Sequence, residues 1–160
     1  MKKLINIAVA SLLLGCMFSC QKSDEEPTAA EPIGTYVFKG EECPVHSAIY
    51  ASNNVSLMIR ISPLLKPIEE QTTYAIIGIN TALEGETIDV GNAWNNDDYY
   101  FRYEDPVYYY SVYRKLQSGT IRIQRTGADK DIFDISVDVV LPDGTDFSFE
   151  YRGPITSATP

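Results

Sequence analysis

"DIFDISVDVVLPDGTDFSFEY", residues 131–151, settles the class of fold. Its first half alternates: Phe133, Ile135, Val137, Val139 and Leu141 fall on one side, with Asp134, Ser136 and Asp138 on the other. A period of two sends successive side chains to opposite faces of an extended chain, so one face is apolar and the other acidic. After "PDGT" the alternation resumes, with Phe147, Phe149 and Tyr151 facing inward and Ser148 and Glu150 outward. Asp143-Gly144 between two such runs is a hairpin signal, because glycine adopts a positive φ without steric cost. The stretch therefore predicts two antiparallel strands, 131–141 and 146–152, joined by a tight turn.

Working outward, the same period recurs. "TIRIQR" (120–125) sets Ile121 and Ile123 against Arg122 and Gln124, while "TYVF" (35–38), "VSLMIRI" (55–61), "TYAIIGI" (73–79) and "TIDV" (87–90) are rich in β-branched and aromatic residues. The best helical candidate, "SPLLKPIEEQ" (62–71), holds Pro63 and Pro67 and has room for one turn. The expectation is an all-β chain: an antiparallel β-sandwich of about 8–10 strands, closing in a four-strand C-terminal meander from about Tyr108 to Arg152. A closed calycin-like β-barrel is the alternative.

A second stretch, "DDYYFRYEDPVYYYSVYRK" (97–115), holds seven of the eleven tyrosines, and Trp94, the only tryptophan, lies just upstream. Glu104-Asp105-Pro106-Val107 reads as its tight loop, since proline cannot donate a ladder hydrogen bond. Pairing outward from that loop sets Tyr103 opposite Tyr108, Phe101 opposite Tyr110 and Tyr99 opposite Val112, a face that belongs in the core. The opposite face pairs Arg102 with Tyr109, Tyr100 with Ser111 and Asp98 with Tyr113, with Arg102 expected over the Tyr109 ring. Trp94, Tyr100, Arg102, Tyr109 and Tyr113 are therefore the candidate ligand-binding residues.

The N-terminus has the composition of an export signal: Lys2 and Lys3, an apolar run from Leu4 to Leu14, then small residues before a cysteine. That run is too short to span a bilayer as a helix. A cysteine closing such a signal resembles a lipobox. "LLGC" ends at Cys16 and "MFSC" at Cys20, and Cys20 is followed directly by "QKSDEE". A short acidic run after the lipidated cysteine resembles the export tag of Bacteroidales-type surface lipoproteins. The resemblance implies lipid attachment at Cys20, with Cys16 the runner-up, and an outer-membrane position facing the cell exterior. The β domain ending in "LPDGTDFSFEYRGPI" also resembles the small uncharacterised domains such lipoproteins carry. The expected layout is a signal peptide over 1–20, with Cys20 the first mature residue; an acidic, proline-containing tether over 21–33; one β domain over 34–155; and a tail over 156–160.

Removing Lys2 and Lys3 takes the formal net charge from -9 to -11, with 22 acidic residues against 11 basic. Nucleic acid needs clustered Lys and Arg, so it is not an expected partner. Catalytic and metal chemistry also lack their residues. His46 is the only histidine, and with Cys43 in "CPVH" it offers two metal ligands where a zinc site wants three or four. No "GxSxG" elbow or glycine-rich phosphate loop occurs. Asn95-Asn96-Asp97-Asp98 lacks the ligand spacing of a calcium loop. Paired acids such as Asp97-Asp98, Glu104-Asp105 and Asp143 with Asp146 leave a carboxylate-based hydrolase as the enzymatic alternative. No metal or other cofactor is expected. The expected function is a non-catalytic, lipid-anchored binding module for glycan or protein; the alternative is a structural or assembly subunit of a cell-envelope complex.

Overall fold

The computed structural model describes residues 31–91, 97–108, 110–113, 116–127 and 131–158. The leader with Cys16 and Cys20, and the tether up to residue 30, lie outside the described residues. Among the described residues twelve strands follow one another: β1 (Gly34–Phe38), β2 (Glu41–Val45), β3 (Ser47–Ser52), β4 (Ser56–Ser62), β5 (Tyr74–Asn80), β6 (Ile88–Asp89), β7 (Tyr99–Asp105), β8 (Tyr110–Tyr113), β9 (Ser118–Thr126), β10 (Ile132–Val140), β11 (Asp146–Pro154) and β12 (Thr156–Ser157). Only β6 and β12 are as short as two residues, which leaves ten substantial strands. The helical candidate is one 3₁₀ turn, Ile68–Glu70, that begins directly after Pro67.

The strands form two six-stranded sheets, β2-β1-β11-β10-β9-β6 and β12-β3-β4-β5-β7-β8. Neither closes on itself, so the architecture is a sandwich and not the alternative barrel. Pairing is antiparallel except between β12 and β3. The hairpin read from residues 131–151 is present, with Val137 opposite Phe149 and Val139 opposite Phe147. β9 joins it on the far side, Ile135 opposite Ile123 and Val137 opposite Ile121.

The alternation explains the core. Phe133, Ile135, Val137, Val139, Ile121, Ile123, Phe147 and Phe149 point inward from the first sheet. Leu57, Ile59, Ile61, Ala75, Ile77, Ile79, Tyr99, Phe101 and Tyr103 point inward from the second. The two sets meet in one cluster of rings. Tyr36 stacks on Phe147 at 5.6 Å, Phe101 meets Phe147 edge-on at 5.2 Å, and Phe38 lies 4.4 Å from Tyr103. Such offset and edge contacts suit the quadrupoles of aromatic rings.

Backbone constraints are sharpest at one close approach and one tight turn. Gly119 has φ +122, and a Cβ there would come within 2.1 Å of the Asp138 carbonyl oxygen. In the β1–β2 turn, Lys39 and Gly40 both have positive φ, 55 and 76, as a two-residue type I′ hairpin requires.

Three expectations need correction. The C-terminal meander contains three strands, β9, β10 and β11; β8, expected as its first, pairs with β7 in the other sheet. Thr156 and Ser157, expected in the tail, pair with Ile49 and Tyr50. Finally, the tyrosine-rich hairpin is shifted by four residues. Asp105 pairs with Tyr110 and Tyr103 with Val112, so the loop is 106–109.

Asp105 causes the shift. Its Oδ1 accepts the amides of Val107 at 2.9 Å and Tyr108 at 3.3 Å, and its Oδ2 accepts the Tyr103 hydroxyl at 3.2 Å. A carboxylate satisfied in this way holds the strand end and sends the turn onward. A shift of four preserves parity, so Tyr99, Phe101 and Tyr103 remain inside. Tyr108 does not: it is a loop residue, 47% exposed.

Candidate functional site

On β7, Tyr100, Arg102 and Glu104 are half-buried and alternate with the buried Tyr99, Phe101, Tyr103 and Asp105. They stand on the outer face of the second sheet. The register sets Tyr100 opposite Gly78, Arg102 opposite Ile76, and Glu104 opposite Tyr74. On the other side Arg102 pairs with Tyr113 and Glu104 with Ser111. Of the five residues expected to bind ligand, Tyr100 and Arg102 share this face, and the backbone of Tyr113 lies opposite Arg102. Trp94 and Tyr109 lie outside the described residues, as do Asn95 and Asn96 of the acidic run.

Tyr74, which the sequence did not single out, opens β5 and lies between two arginines. The Arg60 guanidinium carbon lies 3.9 Å from its ring centroid and the Arg102 guanidinium carbon 5.5 Å. Arg102 therefore meets Tyr74, where the expected register would have placed it on Tyr109. Both cations attract the negative face of the ring, each contact contributing ~0.5–1 kcal/mol at an exposed site.

The two arginines are held differently. Arg60 donates from Nε to Gln71 Oε1 at 3.1 Å, and from Nη2 to the Ile68 and Gln71 carbonyls at 3.2 Å. It therefore braces the β4–β5 connection, helped by buried Gln71, which donates to Ser47 Oγ and the Lys66 carbonyl. Burial pulls the Arg60 guanidinium below its usual range, and the Arg102 charge adds to that. Arg102 donates from Nε to Glu104 Oε1 at 3.0 Å. That hydrogen bond pushes its guanidinium upward.

Tyr100 has a packing role as well. A Cβ on Gly78 would come within 3.3 Å of Tyr100 Cβ and 2.9 Å of Met58 Cγ, so the glycine lets both neighbours close over the sheet.

Beside this stack lies an open depression of about 390 Å³, lined by Thr72, Tyr74, Arg102, Glu104, Asp105, Pro106 and Tyr110. It offers an aromatic surface, a cation, a carboxylate and a proline wall within one concavity. A sugar ring or a peptide side chain uses such a mixture: the rings take its apolar face and the charged groups take its polar edge. Tyr74 and Arg60 could have been found in the sequence only by their strand parity. Nothing in "SPLLKPIEEQTTY" (62–74) marks the loop that brings them together.

The residues considered for chemistry are scattered. Cys43 pairs with Tyr36 on β2, the edge strand of the first sheet, and burial pushes its thiol upward, away from the reactive thiolate. His46 is the single residue between β2 and β3; its amide donates to the Ser62 carbonyl and its buried Nδ1 makes no hydrogen bond. Among the described residues no three His, Cys, Asp or Glu side chains gather as metal ligands. No helix among them is long and apolar enough to cross a membrane. Comparison of the chain with known protein families, with curated proteins and with solved structures gives no match.

Proposed function

We propose that this chain is a lipid-anchored, cell-surface binding module of the outer membrane, without catalysis, that takes a glycan or protein through the outer face of its second sheet. The observation that carries the binding half is the depression beside the Arg60–Tyr74–Arg102 stack. Arg102 and Glu104 are held by their ion pair and Asp105 and Tyr110 by hydrogen bonds, so less side-chain entropy remains to be lost on binding. The anchoring half is supported by residues 1–26, where the signal ends at Cys20 and the acidic run begins.

Glycan-array and affinity-capture screening of the full chain supplies the ligand, and two variants then test the site. Tyr74→Ala and Arg102→Ala should each weaken the ligand by about tenfold or more, the loss of roughly 1.4 kcal/mol. A ligand indifferent to both would remove the depression as its site. Labelled-palmitate incorporation that survives Cys20→Ser would overturn the assignment of the anchor. Protease treatment of intact cells that leaves the domain whole would place it on the periplasmic side.

A further inference from the structure

At one end of the sandwich three turns meet: Lys39-Gly40 between β1 and β2, the 106–109 loop, and Asp143-Gly144 between β10 and β11. Lys39 reaches into a group of three rings there. Its Nζ lies 5.3 Å from the Phe38 ring centroid, 5.0 Å from Tyr108 and 5.1 Å from Tyr110. Tyr108 and Tyr110 stand steeply on Phe38, at interplanar angles of 65° and 63° and centroid distances of 6.0 and 5.3 Å. The rings thus make three walls of a box, with the ammonium equidistant from all of them. Within 6 Å of a centroid, each ring attracts the cation through its quadrupole.

Two further observations mark this box as more than incidental packing. Both tyrosine hydroxyls donate to carboxylates, Tyr108 to Glu41 Oε2 at 3.2 Å and Tyr110 to Asp143 Oδ1 at 2.9 Å. A phenol that donates to a carboxylate has a more electron-rich ring, so the walls are polarised toward a cation. Moreover, Lys39 is the only non-glycine residue with positive φ among those described. The first central position of a type I′ turn favours Asn, Asp or Gly, and a lysine there carries backbone strain. Among the described residues Lys39 makes no ion pair, so rings and not carboxylates hold its charge.

We infer that Phe38, Tyr108 and Tyr110 form a receptor for an alkylammonium group, with Lys39 as its resident and displaceable occupant. Lys39 sits on an exposed turn and is tethered by a flexible four-carbon stem, so it leaves the box without unfolding any strand. A quaternary ammonium is favoured over the lysine itself. Its charge is spread over methyl groups, it surrenders less hydration, and three rings suit its shape. Such a group arrives as a free choline-type molecule or as a methylated lysine on another protein. The box goes beyond the depression on the outer face, with which it shares only Tyr110.

Calorimetric titration of the full chain in detergent tests this, with choline and N-acetyl-trimethyllysine amide as separate probes. The tethered lysine competes at roughly millimolar effective concentration, so Lys39→Asn, which keeps a residue suited to positive φ, should tighten at least one probe by about tenfold. The ratio between the probes identifies the source of the ammonium. Adding Tyr110→Ala or, at the more exposed wall, Tyr108→Leu to Lys39→Asn should reverse the gain. The uncharged isostere 3,3-dimethylbutan-1-ol should bind at least about tenfold more weakly than choline. If Lys39→Asn binds neither probe more tightly than the parent, or binds the isostere equally well, the box is not an ammonium receptor.

Discussion

β7 presents two faces that differ by one residue in sequence and by everything in environment. Tyr99, Phe101 and Tyr103 are at most 5% exposed and pack across to the opposite sheet. Tyr100, Arg102 and Glu104, interleaved with them, meet solvent beside the depression. Both faces carry tyrosine, so the presence of a ring does not separate them. Parity does: it decides whether a ring spends its surface on the core or keeps it for contact with something else. Tyr103 and Tyr74 show the contrast. The first is enclosed by Tyr36, Phe38, Tyr110 and Phe147, and the second lies between two guanidiniums.

The largest effect that would break the comparison is on stability. Phe101→Ala removes a fully buried ring that meets Phe147 edge-on, and should cost about 3–5 kcal/mol in urea unfolding. Tyr100→Ala, one residue away, should cost about 1 kcal/mol or less, because its face is solvated. Equal losses would mean that the faces are not distinct.

How much of this was legible follows from the same residues. The inward set on β7 could be read from the alternation in "YYFRYED" (99–105), and the β10–β11 hairpin from Asp143-Gly144. The register of the tyrosine hairpin could not. Glu104-Asp105-Pro106 has the composition of a turn, yet Asp105 stays in the strand because its carboxylate caps two loop amides and takes the Tyr103 hydroxyl. Those bonds are local, two or three residues apart, but composition alone does not say whether Asp105 sits inside the turn or caps it from the strand end. A shift of four spared the faces of β7, but it moved Glu104 and Asp105 from the loop into the strand and Tyr108 from the strand into the loop. The candidate site was half legible. Tyr100 and Arg102 follow from parity on one strand, whereas Tyr74 and Arg60 come from two other strands and an unpatterned loop.

A smaller, pH-dependent effect sharpens the description of the inner face. Tyr103 Oη donates to Asp105 Oδ2, so Tyr36 Oη, 3.5 Å away, donates in turn to Tyr103. Burial raises the phenols of Tyr36 and Tyr103 well above the usual tyrosine range, and it raises Tyr110 too, with the Asp143 carboxylate adding to the shift. A folded-state pKa above the unfolded value means stability that is fully present below about pH 10 and lost as pH rises toward the folded values. Tyrosinate absorbance should therefore rise together with loss of the β circular-dichroism signal, and not before it. Tyr103→Phe should cost about 1–2 kcal/mol at neutral pH by leaving Asp105 and Tyr36 short of a partner. The same variant should lose stability less steeply above pH 10, having one fewer buried phenol to ionise.

The smallest effect concerns the outer face, where binding and stability should separate. Arg102 and Glu104 form an ion pair with side chains 39% and 24% exposed. Solvent screens such a pair, and exposed pairs contribute only ~0.2–1 kcal/mol. Arg102→Gln keeps most of the stem and should shift the urea midpoint by an amount near the lower end of that range, vanishing in high salt. The same substitution removes the guanidinium donors and the cation over Tyr74, so it should reduce ligand affinity severalfold. A variant that lost as much stability as affinity would show that Arg102 is spent on the sheet itself, as Arg60 is on its loop. The outer face would then resemble the inner one in purpose despite its different composition.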